Sequence, residues 1–217
     1  SIISKAYKKY QEEIDLEKNT LDCFSCVIES SIRNMTLEQW KEAEKARQLQ
    51  KTLQNDIGNM HQEILSTIDG IRDLKVGEIV DLESIDKKFI AEIKNKFNTT
   101  KGNHKVSIYD DIENKLKEYD DDFIGYYVEI LPQKKKKYNK EFTPSDNNTK
   151  SCRPINERIR IIDGYSFYAM VTGKENALEE LFFKFPSMIK DILNDMDMYN
   201  SNYISNVELR EMFYSVF

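Results

Sequence analysis

The chain has 217 residues, which suits one domain, or one domain with a small appendage. Apolar residues make up 40% of it, enough for a core, and charged residues make up 32%, with a net charge of −6. Because it lacks both an apolar run of about eighteen residues and the N-terminal apolar run of a signal peptide, we expect a soluble, cytoplasmic protein without a membrane partner. Its three cysteines are too few for a disulfide framework or for four-ligand zinc.

Positive charge is concentrated in two segments of an otherwise acidic chain. Residues 132–160 carry nine positive and three negative side chains, and residues 86–105 carry six positive and two negative ones. The remainder of the chain therefore has a net charge of −16. A basic band on an acidic body is typical of a DNA-binding cleft, although two solvated lysine-rich loops would give the same pattern.

The N-terminal quarter of the chain predicts helices. Residues 2–54 contain neither Gly nor Pro. We therefore expect residues 1–54 to form a helical segment that packs on a core built from residues 55–217, within one structural domain. Thr36, followed three residues later by Gln39, predicts a capping box at the start of the longest helix.

Asp56 predicts the cap of a separate helix over residues 57–69. Apolar residues at helical spacing share one stripe of that helix with His61: Ile57, Ile64 and Ile68. We therefore expect His61 to be a hydrogen-bonded core residue rather than a ligand. Residues 71–76 predict a short first strand.

Alternating β-branched runs on either side of residues 84–87 predict a β-hairpin with that tetrapeptide as its turn. Such a turn pairs Leu82 with Phe89 and Asp81 with Ile90. Because side chains alternate across a strand, one face of the hairpin is apolar. That face carries Val80, Leu82, Phe89, Ala91 and Ile93, and the other carries Asp81, Ile90, Glu92 and Lys94.

Two acids and a lysine thus share the second face of the predicted hairpin. In this register Asp81 lies diagonal to Glu92, about 7–8 Å away, near enough for both carboxylates to share one cation. Mg²⁺ is held by one or two carboxylates, and a lysine such as Lys94 beside it can orient or deprotonate a water that attacks a phosphodiester. The alternative is a half-exposed hairpin with a solvated charged face.

The rest of the chain alternates helices and strands. A polar loop at 98–103 precedes an amphipathic helix over 105–119 and a strongly apolar strand over 123–131. A helix that joins two strands of one sheet makes them parallel and buried. Residues 133–154 predict a long polar loop, which at that length is functional or disordered.

After that loop, a strand over 156–163 would place Arg158 and Arg160 on one face. The predicted helices that complete the chain cover residues 165–171, 175–185, 186 to about 196, and 203–217. Pro186 is expected to separate two of them.

The pattern Asp81-x10-Glu92-x-Lys94 resembles the active-site signature of the PD-(D/E)XK nucleases. Residues 54–62 and 91–102, together with most of 142–168, resemble type II restriction endonucleases, in particular the group that cuts GG-x-CC palindromes. The resemblance covers most of residues 40–190 and fails over the first thirty-odd and the last twenty-odd residues.

This resemblance implies an α/β fold with a large helical share, in which a mixed sheet is flanked by helices in a restriction-endonuclease-like core. It implies Mg²⁺ bound by Asp81, Glu92 and the Ile93 carbonyl, with Lys94 holding the attacking water. In many such enzymes an acid on the preceding helix approaches the metal, and Glu63 matches that position. Hydrolysis of duplex DNA would leave a 5′-phosphate and a 3′-hydroxyl.

The resemblance also implies a homodimer that acts on a short G/C-rich palindrome in double-stranded DNA. A cognate DNA methyltransferase is implied as a functional rather than a physical partner. Lysines are expected on phosphates and arginines on guanines, the candidates being Lys101, Lys134, Lys135, Lys136, Lys137, Arg153, Arg158 and Arg160. Two other functions stay open, a non-catalytic DNA-binding protein on the same scaffold and a helical protein-interaction module.

Overall fold

The computed structural model describes residues 2–11, 16, 20–75, 79–100, 102–146, 148–197 and 204–217. The chain divides into two compact units, residues 1–57 and residues 58–217. The boundary between them falls inside a long helix, so that helix contributes to both units.

The first unit consists of helices α1 (Ile2–Gln11), α2 (Cys23–Arg33) and the first part of α3 (Leu37–Leu65). Asp22 caps α2 by accepting hydrogen bonds from two backbone N–H groups of its first turn. The predicted capping box at the start of α3 is confirmed. The Thr36 N–H donates to the Gln39 side chain at 2.9 Å, and the Gln39 N–H donates to the Thr36 hydroxyl at 3.2 Å.

Helix α3 runs without a break from Leu37 to Leu65, so the prediction of a separate helix over residues 57–69 is wrong. Asp56 and Gly58 carry only modest helix penalties, of up to about 1 kcal/mol each, and a long helix can absorb them. The prediction for His61 is confirmed, because it is buried and its Nδ1 lies 2.9 Å from the Tyr168 hydroxyl.

The second unit is built on a mixed sheet flanked by helices, as predicted. Its six strands are Arg72–Asp73 (β1), Leu82–Ser84 (β2), Phe89–Lys96 (β3), Ile124–Leu131 (β4), Asn139–Glu141 (β5) and Ile159–Asp163 (β8). Their spatial order is β1, β2, β3, β4, β8 and β5. A small hairpin of β6 (Ser145–Asp146) and β7 (Ser151–Cys152) gives structure to the segment predicted as a long loop.

Strands β3, β4 and β8 are parallel, and helix α4 (Gly102–Leu116) connects β3 to β4. Both faces of these strands are covered, which explains why the β4 sequence is almost continuously apolar. One core cluster contains Leu82, Ala91, Val128, Ile162 and Phe167. The other contains Val80, Ile90, Ile112, Tyr127 and Ile159.

The hairpin of β2 and β3 is confirmed, but its predicted register is wrong by two residues. Leu82 pairs with Ala91, not with Phe89, and the turn occupies residues 85–88. Ser84 stays in the strand, and its hydroxyl accepts a hydrogen bond from the Lys87 N–H at 3.2 Å. Lys88 takes up the left-handed conformation that closes the turn, with a φ of 54°. Val80 also changes face, since it packs in the second cluster instead of with Leu82.

Three helices complete the chain: α5 (Gly164–Thr172), α6 (Ala177–Asn194) and α7 (Asn206–Val216). Asp163 ends β8 and caps α5 by accepting from the Ser166 N–H at 3.0 Å. Helix α6 continues through Pro186, so the predicted break there is wrong; the proline removes one backbone hydrogen bond without ending the helix. The predicted start of the last helix at Tyr203 lies outside the described residues. Within the described part of the chain, no helix combines the length and the apolar character needed to cross a membrane.

Candidate active site

Asp81 lies immediately before β2, and its backbone is fixed from both sides. Its N–H donates to the Ala91 carbonyl at 3.0 Å, and its carbonyl accepts from the Leu74 N–H at 2.9 Å. The Asp81 carboxylate accepts a further hydrogen bond from the Ile93 N–H at 2.7 Å. These contacts hold the carboxylate against β3.

Glu92 and Lys94 are alternate residues of β3 and therefore share a face of the sheet. Asp81 meets β3 on either side of Glu92, since its N–H is bound to Ala91 and its carboxylate to Ile93. The Lys94 ammonium forms an ion pair with the Glu92 carboxylate, whose side chain is only 14% exposed. The structure thus brings together the three residues that the sequence pattern singled out.

Burial makes both carboxyl groups harder to ionise. Burial raises the pKa of Glu92 to about 7, and the nearby negative charge of Asp81 adds to the effect. Burial also raises the pKa of Asp81, while the hydrogen bond from the Ile93 N–H and the charge of Lys94 act in the opposite direction. Two partly buried carboxyl groups this close together favour a positive charge between them.

The donor atoms at this point suit a hard divalent cation. Carboxylate and carbonyl oxygens, completed by water, are the ligands that Mg²⁺ prefers. Among the described residues, no group of three or more His, Cys, Asp or Glu side chains is arranged to hold a metal. A cation bound here would therefore depend on Asp81 and Glu92, with backbone and water oxygens filling its other positions.

Helix α3 reaches this site through Gln62. The Gln62 side chain donates to the Asp73 carboxylate at 2.9 Å and lies 3.5 Å from the Asp81 carbonyl. The adjacent residue, Glu63, is exposed, and its predicted role near the metal stays a prediction. Sequence reasoning found the correct helix but overlooked Gln62 and Asp73, because neither belongs to the nuclease pattern.

The neighbouring strand, β4, adds a second polar group on the same face. Glu129 pairs in register with Lys94, and its side chain is almost fully buried. Lys105 from α4 donates to one Glu129 oxygen at 2.7 Å, and the Tyr138 hydroxyl donates to the other at 2.6 Å. Sequence reasoning missed this network, since β4 looks like a purely apolar strand.

The predicted phosphate contacts are accessible where the structure describes them. All four lysines at 134–137 are exposed. The Lys137 ammonium lies 3.7 Å from the centre of the Tyr165 ring, a cation–π contact that orients this end of the segment. Lys101 lies outside the described residues.

The three candidate arginines all have acceptors within the chain. Arg153 makes a two-pronged ion pair with Asp110, at 2.7 and 2.6 Å. Arg160 donates to the side chain and the carbonyl of Asn139. Arg158 lies before β8 rather than on it, so its predicted placement beside Arg160 on a strand face is wrong.

Arg158 instead fastens the end of α4 to the loop that follows. It donates to the carbonyls of Leu116, Asp120 and Phe123, at 3.4, 2.9 and 3.0 Å. It also forms an ion pair with Asp121 at 3.0 Å. A base contact by Arg158 would have to replace this set of bonds.

Comparison with known proteins agrees with the resemblance noted from the sequence. The sequence model of a family described as Eco47II restriction endonuclease matches residues 1–194. The chain is 39% identical to the type II restriction enzyme Eco47II of Escherichia coli over 199 residues, which cover 90% of this chain and 83% of that protein. It is 35% identical to the type II restriction enzyme Sau96I of Staphylococcus aureus over 191 residues, or 85% of this chain and 73% of that one.

No solved structure matches this chain. The family match begins at residue 1, so the likeness includes the first thirty-odd residues, where inspection of the sequence found none. It stops short of α7, in agreement with the sequence analysis.

Proposed function

This chain belongs to the Eco47II restriction endonuclease family, and we propose that Asp81, Glu92 and Lys94 form its active site. It is a type II restriction endonuclease, a site-specific deoxyribonuclease acting on double-stranded DNA. The observation that carries the proposal is the meeting of two partly buried carboxyl groups and one ammonium on a single face of the β2–β3 hairpin.

We propose Mg²⁺ as the divalent metal, held by Asp81, Glu92 and the Ile93 carbonyl. When bound, Mg²⁺ supplies positive charge that stabilises the negative charge developing on the phosphate. Asp81 is prepared for this role because the Ile93 N–H fixes one of its oxygens at 2.7 Å. Glu92 is prepared because its burial leaves few other partners for its charge.

Lys94 is proposed to position the attacking water. Its ammonium is anchored by Glu92 but keeps 27% of the side chain exposed, so further donor hydrogens face the solvent side. The water oxygen forms a bond to phosphorus while the bond from phosphorus to the 3′-oxygen breaks. The attacking water gives up a proton to solvent, and the departing 3′-oxygen takes one up from solvent, so the products are a 5′-phosphate and a 3′-hydroxyl.

We further propose a homodimer on a short G/C-rich palindrome, because a two-fold site offers each strand to one of two identical active sites. The exposed lysines at 134–137 would contact phosphates, together with Lys101. Of the arginines, Arg160 is the proposed guanine reader, since its acceptors belong to the uncharged Asn139, whereas Arg153 and Arg158 form ion pairs with Asp110 and Asp121. Glu63 would assist the metal site from α3. We also propose that the enzyme acts in the cytoplasm, where a cognate methyltransferase, a functional rather than a physical partner, protects the host DNA.

Plasmid digestion tests the proposal. Purified protein incubated with plasmid and Mg²⁺ should give discrete fragments that a ligase rejoins, which requires 5′-phosphate ends. The same mixture without a divalent metal should leave the plasmid intact. Retarded but uncut plasmid under both conditions would identify a non-catalytic DNA-binding protein, and neither cutting nor retardation would favour the interaction module.

A further inference from the structure

Helix α2 turns its polar side toward its own chain and its apolar side toward solvent. Its two charged residues, Glu29 and Arg33, form an ion pair at 2.7 Å. Glu29 also accepts from the Trp40 ring N–H at 3.1 Å and pairs with Arg47 at 2.9 Å, both on α3. These bonds attach α2 to α3 through its charged side.

The opposite side of α2 is an uncharged apolar stripe at helical spacing. Phe24, Val27, Ile28 and Ile32 are 78%, 66%, 59% and 79% exposed, and Leu37 beyond the end of the helix is 58% exposed. None of the residues of α2 is buried. A surface helix ordinarily buries its apolar side, and no contact among the described residues covers this one.

The size of the stripe fits a second copy of the chain. If a fully exposed side chain of these types presents about 100–200 Å², the five residues together expose on the order of 500 Å². One partner of a standard interface contributes about 800 Å², of which about 65% is apolar in a homodimer, or about 500 Å². Patches above a few hundred Å² are seldom left uncovered on a soluble monomer.

The absence of charge on the stripe also favours a copy of itself as the partner. In a two-fold interface a charge near the axis lies close to its own copy on the partner. The stripe avoids this conflict, because Glu29 and Arg33 pair with each other, and Glu29 with Arg47, on the other side of α2.

We propose that the apolar stripe of α2 (Phe24, Val27, Ile28, Ile32) with Leu37 is the surface through which two copies of this chain form a dimer. This inference rests on the proposed function, which calls for two identical active sites on one palindrome. It assigns the dimer contact to the N-terminal unit, residues 1–57.

The test compares two valines with the same exposure. Val27 on the stripe and Val207 on α7 are both 66% exposed. Sedimentation equilibrium of the wild type across the micromolar range should give a dimer. Val27→Glu should weaken the association at least about tenfold, since it places an unpaired charge in an apolar contact twice. Val207→Glu should leave it unchanged, and circular dichroism should show both variants folded.

Cleavage gives a second readout. Val27→Glu should cut slowly at low protein concentration and recover at high concentration, because only the association is impaired. A monomeric wild type, a Val27→Glu protein that dimerises normally, or an equal loss in Val207→Glu would overturn the inference. A wild type that dimerises through the stripe but never cuts DNA would refute the proposed function alone.

Discussion

At the scale of single residues, the carboxyl pair of Asp81 and Glu92 is the most direct target for mutation. Asp81→Asn and Glu92→Gln each keep a similar shape and remove one charge, so cleavage should fall at least about 100-fold. DNA binding in the absence of metal should persist or tighten, because a negative charge leaves the neighbourhood of a phosphate. Rates of plasmid cleavage and gel-shift titrations measure the two effects.

Asp86 supplies the matched control for this pair. It lies in the turn of the same hairpin and is exposed, so Asp86→Asn should cut DNA nearly as fast as the parent. A dead Asp86→Asn protein beside an active Asp81→Asn protein would show that the wrong acid has been assigned to the metal.

His61 gives the fold a pH dependence of its own. Burial lowers its pKa to about 4, whereas an unfolded chain has a histidine pKa of about 6.5. Between these values the unfolded chain binds a proton that the folded chain does not, so stability falls as the pH falls through this window, by up to roughly 3 kcal/mol. His61→Asn keeps a polar partner for Tyr168 and cannot titrate, so its urea-unfolding free energy should change less between pH 7 and pH 5. Equal changes in both proteins would contradict this role.

At the scale of whole elements, the sequence correctly predicted the helices and strands that are determined by residues close together in the chain. The Thr36–Gln39 capping box and the apolar alternation of the hairpin are readable within a few residues. The hairpin register could not be predicted in this way, because it depends on a left-handed conformation of Lys88, which is uncommon for any residue but glycine. The ends of elements were misplaced where a long helix tolerates an unfavourable residue, as α6 does at Pro186.

The candidate site shows the same division between local and long-range causes. Asp81, Glu92 and Lys94 were found because one hairpin holds all three. Glu129 and Lys105 were missed, since their contact depends on the pairing of β4 with β3 and on the packing of α4. Pairings between distant segments leave little trace in a single sequence.

The lysine segment at 134–137 should bind DNA without regard to sequence. Its ammonium groups are exposed point charges, which suit phosphates better than base edges. Replacing all four lysines with glutamine should weaken binding to every duplex alike and reduce the slope of log K against log salt by up to about 3.6. Binding curves at several salt concentrations, on a duplex with the mapped cleavage site and on a scrambled one, measure this. A loss confined to the cleavage-site duplex would mean that these lysines read bases.

Arg158, just before β8, and Arg160, within it, should have different roles. Arg160→Ala should cost about 1–3 kcal/mol in binding to the cleavage-site duplex and little on scrambled DNA, if Arg160 reads a guanine. Arg158→Ala should instead lower the free energy of unfolding by about 1–3 kcal/mol, because it frees one carbonyl at the end of α4 and two in the loop that follows. Denaturation and binding curves for both variants test this division. Unchanged stability in Arg158→Ala, with a loss specific to the cleavage site, would return it to the set of base readers.

At the scale of the whole molecule, the proposed homodimer predicts that each active site cuts one strand. Mixing wild type with an excess of Asp81→Asn, and allowing subunits to exchange, produces dimers with one working site. On a supercoiled plasmid with a single cleavage site, such dimers should cut one strand and accumulate open circles, whereas wild type alone proceeds to linear DNA. The same mixture made with Asp86→Asn should still give linear DNA, because both of its sites work. Suppose instead that the Asp81→Asn mixture gave no open circles and an amount of linear DNA in proportion to the wild-type chains present. One chain would then be cutting both strands, and the two-fold arrangement would have to be abandoned.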